Sequence, residues 1–139
     1  MYEKELAPTD AQIAKFQYLS PMLDSALSEM REFAKKKQDG IVSAMKIRIM
    51  NRLLTDIKEI LAHEESRNYL DVLSEEQLPQ NSDAVIILGQ YRAALDSFEK
   101  RHHHTVDYKR TWITKEWIEE RGAVEREDDD EEGGESDDD

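Results

Sequence analysis

Cysteine is absent from all 139 residues. That closes off a disulfide framework, a thiolate metal site and a thiol nucleophile together. Long hydrophobic runs are absent too. The longest, Ala84 to Leu88, is far short of the roughly 20 apolar residues a membrane-spanning helix needs. The first sixteen residues, MYEKELAPTDAQIAKF, intersperse charges among apolar positions and do not read as a secretory signal. Together these features predict a soluble, intracellular chain, most simply cytoplasmic, with no membrane partner.

Motifs that carry chemistry are also missing. The sequence holds no Gly-rich phosphate loop, no Gly-x-Ser-x-Gly and no His-Glu-x-x-His. Nor does any arginine stand five to seven positions before a histidine, the spacing that marks some helical ribonucleases. Carboxylates are abundant, yet no two sit in an apolar stretch that could hold one of them protonated. No catalytic residue and no cofactor-binding residue is assigned, and the reading is that the chain is not an enzyme.

Histidine is the nearest approach to a metal motif. Glu59 and His63 lie one turn apart, and Glu99 with His102 forms one Glu-x-x-His pair. Di-iron bundles need two such pairs and two further glutamates, all facing inward. Glu59 and His63 fall on the polar side of their helix. Among the consecutive His102, His103 and His104, only His102 extends an apolar stripe. No metal ligand is therefore assigned, and a metal-dependent enzyme using Glu99 and His102 is the weakest of the functional readings.

What the sequence does hold is charge, unevenly placed. The formal net charge is −13. The last fifteen residues, EREDDDEEGGESDDD, set eleven acids against Arg126 and carry −10, leaving only −3 on residues 1–124. Acids and glycines without an apolar anchor cannot offset the entropy of ordering, so 125–139 are expected to be a disordered acidic tail. Residues 1–124 are expected to form one helical domain.

Within that domain helical periodicity dominates. Thr9 with Gln12 matches a capping box and opens a short first helix ending near Tyr18. Ser20-Pro21 reads as a fresh start, with proline at the first helical position, in preference to one continuous helix kinked at Pro21. The apolar stripe from Leu23 through Leu27 and Met30 to Phe33 and Ala34 then ends at KKKQDG, where Gly40 is placed to take a left-handed stop. Next comes the clearest amphipathic segment. Ile49, Met50, Leu53, Leu54, Ile60 and Leu61 cluster around Ile57, with Val42 and Ile47 widening the face. Nothing obviously breaks this helix before Leu73.

A loop around Leu78-Pro79 follows, then a helix capped by Ser82 or Asp83 and carrying Ala84, Leu88, Tyr91, Leu95, Phe98 and His102. Gly89 costs that helix about 1 kcal/mol relative to alanine, which suggests a packing reason for it. TVDYKRTW reads as a connector. A short last helix starting at Thr111 or Thr114 stops at Gly122. The expected fold is all-α, a bundle of four or five helices with a disordered acidic C-terminal tail.

Basic residues gather in two stretches. Lys35, Lys36, Lys37, Arg48 and Arg52 form one, and Lys100, Arg101, Lys109 and Arg110 the other. They are the candidate contacts for an anion or nucleic acid. Tyr108, Trp112 and Trp117 are the candidate partner contacts; for Tyr108 and Trp112, core packing is weighed above base stacking.

The leading functional reading is a non-catalytic helical interaction protein. It is an adaptor, assembly subunit, or regulatory or inhibitory factor that docks through bundle faces, its acidic tail engaging a basic surface on another protein. The alternative is a nucleic-acid-associated factor whose basic segments contact phosphate and are competed by the tail.

Overall fold

Thr9 opens the first helix by the predicted device. Its hydroxyl accepts from Gln12 N, 3.2 Å away, and the Gln12 side chain accepts from Thr9 N at 2.8 Å. In the computed structural model, which describes residues 2–124, this helix α1 then runs unbroken from Asp10 to Lys36. The tail expected at 125–139 lies outside the described residues.

Pro21 therefore sits inside α1 and does not start a second helix. An interior proline costs about 3 kcal/mol, so something must offset it. Ile13, Phe16, Leu19, Leu23, Leu27 and Met30 are all buried, and they keep helical phase straight across the proline. Breaking the helix there would swing half of that stripe away from the core. Pro21 itself is exposed, on the side where water can serve the orphaned carbonyl.

Gly40 does not end α1 in a left-handed conformation, because no glycine among the described residues has positive φ. Lys37 is the C-cap, and the Asn81 amide donates to the Lys37 carbonyl at 2.9 Å, closing the helix end from a distant part of the chain. Gly40 serves close approach instead. A Cβ there would stand 2.7 Å from Asn81 Nδ2, and Gly40 O accepts from Asn81 N at 2.8 Å.

Helix α2 (Ala44–Ile60) starts at Ser43, whose hydroxyl accepts from Lys46 N. Ile47, Met50, Leu53, Leu54, Ile57 and Ile60 are buried as periodicity requires. Ile49 is not; it is 65% exposed. The helix also stops well before Leu73. After a 3-10 turn at Glu65–Tyr69, the chain returns along α2 as an extended strap. Lys58 Nζ donates to Leu70 O, and Asn51 both donates to Leu73 O (2.7 Å) and accepts from Leu73 N (2.8 Å). At the far end of the strap Val42 N donates to Pro79 O at 2.9 Å. The lack of a helix breaker did not make this stretch helical. Leu70 and Leu73 are buried from an extended backbone that Asn51 holds in place.

Helix α3 (Asn81–His102) begins two or three residues earlier than a cap at Ser82 or Asp83 would set it. Gln80 is the N-cap, and the Asp83 carboxylate at the third position accepts from Gln80 N. The strap makes α3 parallel to α2, and both run antiparallel to α1. Phe16 meets Phe98 (5.6 Å between centroids), Arg92 reaches Ser20 Oγ (2.8 Å) and Asp24 (3.1 Å), and Asn81 meets the α1 C-terminus. Gly89 has no packing role, since a Cβ added there would meet nothing within 4 Å.

The expected connector at TVDYKRTW is a β-hairpin. Strand β1 (His103–Val106) pairs antiparallel with β2 (Lys109–Trp112), His103 opposite Trp112 and Val106 opposite Lys109. Asp107 and Tyr108 form the two-residue turn, with φ of 49° and 69°. Thr114 Oγ1 then accepts from Trp117 N and caps a last helix, α4, which is helical over residues 115–124 and passes through Gly122 without stopping. The described residues thus form a helical bundle of four α-helices, as expected, carrying one small hairpin that was not. No helix of the described residues is long and apolar enough to cross a membrane.

Candidate functional site

Chemistry-bearing residues concentrate where α1 begins and where α2 and α3 end. At this end Glu64 is buried, its side chain only 6% exposed. It receives Arg101 Nη1 at 3.3 Å, and His102 Nε2 lies 3.5 Å from its Oε2. Burial alone would push the Glu64 carboxyl up. The interaction with His102, the Arg101 guanidinium and the nearby His63 outweigh burial and hold it below its ordinary value. His102 is buried edge-on to Phe98, with centroids 4.9 Å apart.

The two Glu/His pairs legible in the sequence dissolve in space. Glu59 pairs with Lys15 at 3.7 Å. Glu99 faces His103, its Oε1 3.6 Å from Nδ1, and not His102. The reason is that α3 ends at His102 and the next two histidines lie in β1. Among the described residues, no group of three or more His, Asp or Glu side chains is placed to hold a metal ion. A cavity of about 200 Å³ does open between the N-terminal segment and α4, lined by Leu6, Ala7, Arg101, His102, Ile113 and Ile118. Its walls are mainly apolar, and its Arg101 is already engaged by Glu64.

The basic residues divide between opposite ends of the bundle. Lys35, Lys36 and Lys37 close α1, and Arg48 and Arg52 occupy the first half of α2. Lys100, Arg101, Lys109 and Arg110 stand near the other end. The length of α1, 27 residues or about 40 Å, separates the extremes. That is several Debye lengths at physiological salt. Partners further reduce the free charge: Lys35 pairs with Glu32, Arg48 with Glu75 and Arg101 with Glu64. Lys36, Lys37, Arg52, Lys100, Lys109 and Arg110 are exposed.

The three aromatic candidates part company. Trp112 is half-buried and acts as an anchor, stacked on His103 (4.3 Å, 3°) and edge-on to Phe16 at 5.1 Å. Trp117 is also half-buried, against Tyr2 at 5.6 Å and beneath the Arg121 guanidinium. Tyr108 is fully exposed at the hairpin tip. Tyrosine at positive φ costs about 1–3 kcal/mol, and no burial compensates it here. The fold has no use for this side chain.

Two features were beyond the sequence reading. Glu64 follows α2 in a turn, where its inward direction has no periodic signal. The Asp107-Tyr108 turn lacks the Asn-Gly or Asp-Gly pair that usually betrays a two-residue hairpin. No protein-family model, curated protein or solved structure matches the chain.

Proposed function

We propose that this chain is a non-catalytic helical interaction protein of the cytoplasm, docking on another protein through a bundle face while its acidic tail engages a basic surface there. One observation carries the reading. Met45 and Ile49, one turn apart on α2, are 70% and 65% exposed, although the same helix has buried apolar positions on its inner side. Covering each would contribute about 1–2 kcal/mol to association. Periodicity also puts the exposed Met22 of α1 on the flank toward α2. The −10 of residues 125–139 supplies long-range attraction to a basic partner.

Affinity purification of the full chain, of residues 1–124 and of a Met45→Lys/Ile49→Lys variant tests this reading, with protein and nucleic acid both identified. A protein partner lost with the α2 variant and weakened by tail removal is the expected result. The nucleic-acid reading has less support because the cationic residues do not form one surface. It requires residues 1–124 to bind nucleic acid at low salt more tightly than the full chain does.

A further inference from the structure

The hairpin is fastened both at its base and at its turn. At the base, Ile113 N donates to His102 O at 2.7 Å, His103 stacks on Trp112, and Tyr2 packs against His104 at 5.8 Å. At the tip, Asp107 bonds Arg121 of α4 at 3.2 Å. Between these ties the turn presents Tyr108 at full exposure in a left-handed conformation that glycine would adopt without strain.

Strand alternation sets the neighbours. Arg110 is opposite Thr105 and shares the Trp112 face of the ribbon, while Lys109 is opposite Val106 and lies on the other face. Both cations are exposed. The backbone that carries an exposed aromatic side chain is thus fixed by the turn, with one cation on each face of the ribbon beside it. Tyrosine and arginine are the residue types most enriched among binding hot spots, and a contact that is already ordered loses little entropy on docking.

We propose that this tip is a preorganised docking element: the Tyr108 ring enters an apolar pocket of a protein partner, and Lys109 and Arg110 meet carboxylates on the pocket rim. The proposal rests on the reading of the chain as an interaction protein and adds a second contact far from the α2 face. Charge favours a protein over nucleic acid here. Two local cations neutralise only one or two phosphates, too few to hold a nucleic-acid backbone at physiological salt, whereas they suffice for a rim of one or two carboxylates.

The test places a photoreactive benzoylphenylalanine at position 108 of the full chain, in a lysate of the source organism, with position 69 as control. Tyr69 is another exposed tyrosine, 79% accessible. The expected adduct forms at 108 and not at 69, and its crosslinked peptide maps to an apolar concavity bearing Asp or Glu. Binding of that purified protein is then measured for Tyr108→Gly, Lys109→Glu, Arg110→Glu and the Met45→Lys/Ile49→Lys variant. Tyr108→Gly is expected to weaken binding tenfold or more while raising Tm by about 3 °C through release of backbone strain. Each charge reversal is expected to weaken binding with Tm unchanged.

Equal adducts at 108 and 69, an adduct only with nucleic acid, or unchanged binding by the hairpin variants overturns the proposal. So does a fall in Tm for Tyr108→Gly, which would give the ring a structural role. Loss of binding in the hairpin variants alone supports the tip and removes the α2 face. Loss in the α2 variant alone does the reverse.

Discussion

Glu64 Oε2 stands 3.5 Å from His102 Nε2, so that a carboxylate and an imidazole, both buried, face each other where α2 and α3 end. Around them are His63, Arg101 and the apolar walls of Leu6, Pro8 and Phe98. The depressed carboxyl makes this pair a source of acid sensitivity. Because the folded-state value lies below the ordinary 4.5, the contribution is present above the unfolded pKa. It is lost as pH falls through the folded value. Thermal unfolding followed below about pH 4.5 is expected to show a steep loss of stability that Glu64→Gln flattens. At neutral pH, Glu64→Ala is expected to cost about 2 kcal/mol, because His102 keeps its buried position without its acceptor.

Tyr91 governs the opposite limb. Its hydroxyl donates to Asp71 O at 3.0 Å, and burial followed by the Asp71 charge pushes its pKa up to about 12. A raised folded-state value means stability is intact below the unfolded pKa of about 10. It then falls as pH climbs toward 12. Tyr91→Phe removes the hydrogen bond to the strap and is expected to lower Tm at neutral pH. The same variant should lose the alkaline decline, as urea titration between these pH limits will show.

Gly40 and Gly89 should respond to alanine in opposite directions. Gly89→Ala adds a methyl group to open space and removes a flexible helical residue, and is expected to stabilise by about 1 kcal/mol. Gly40→Ala drives Cβ to 2.7 Å from Asn81 Nδ2 and 3.2 Å from Lys37 O. It disturbs the amide that closes α1 and is expected to destabilise by about 1–2 kcal/mol. Paired calorimetric scans decide both.

Asn51 clamps the strap through both polar groups of Leu73. Asn51→Ala leaves that N–H and carbonyl without their partners, at a cost of about 2–3 kcal/mol. Amide hydrogen exchange is expected to accelerate first in residues 70–80, ahead of α1, because the strap holds few other backbone bonds.

Much of this architecture was legible because amphipathic stripes record burial directly. The inner faces of α1, α2 and α3 follow the three- and four-residue spacing of Leu23, Leu54 and Leu88 and their neighbours. Local rules failed where distant contacts decided. Pro21 looks like a helix start until α3 is present to hold the stripe on both sides of it. Gly40 looks like a left-handed cap until Asn81 arrives to close the helix in its place. Ile49 falls on the arc of the apolar face, but at its margin, where no helix among the described residues covers it. The candidate site was legible only as a set of residue types. Tyr108, Lys109 and Arg110 were named, yet nothing in TVDYKRTW announced that a turn would set the ring apart from the bundle. Glu64 was not named at all.

The first residues of the chain are bonded to its last described helix. Lys115 N donates to Pro8 O at 2.8 Å, Glu116 accepts from Asp10 N, and Lys4 pairs with Glu119. Trimming the N-terminus is therefore a way of unfastening α4. A clone shortened by eight residues would lose the seat of α4, and with it the tie from Arg121 that steadies the hairpin. A bulky tag fused ahead of Tyr2 would press on the same seam, so affinity handles belong elsewhere on this molecule.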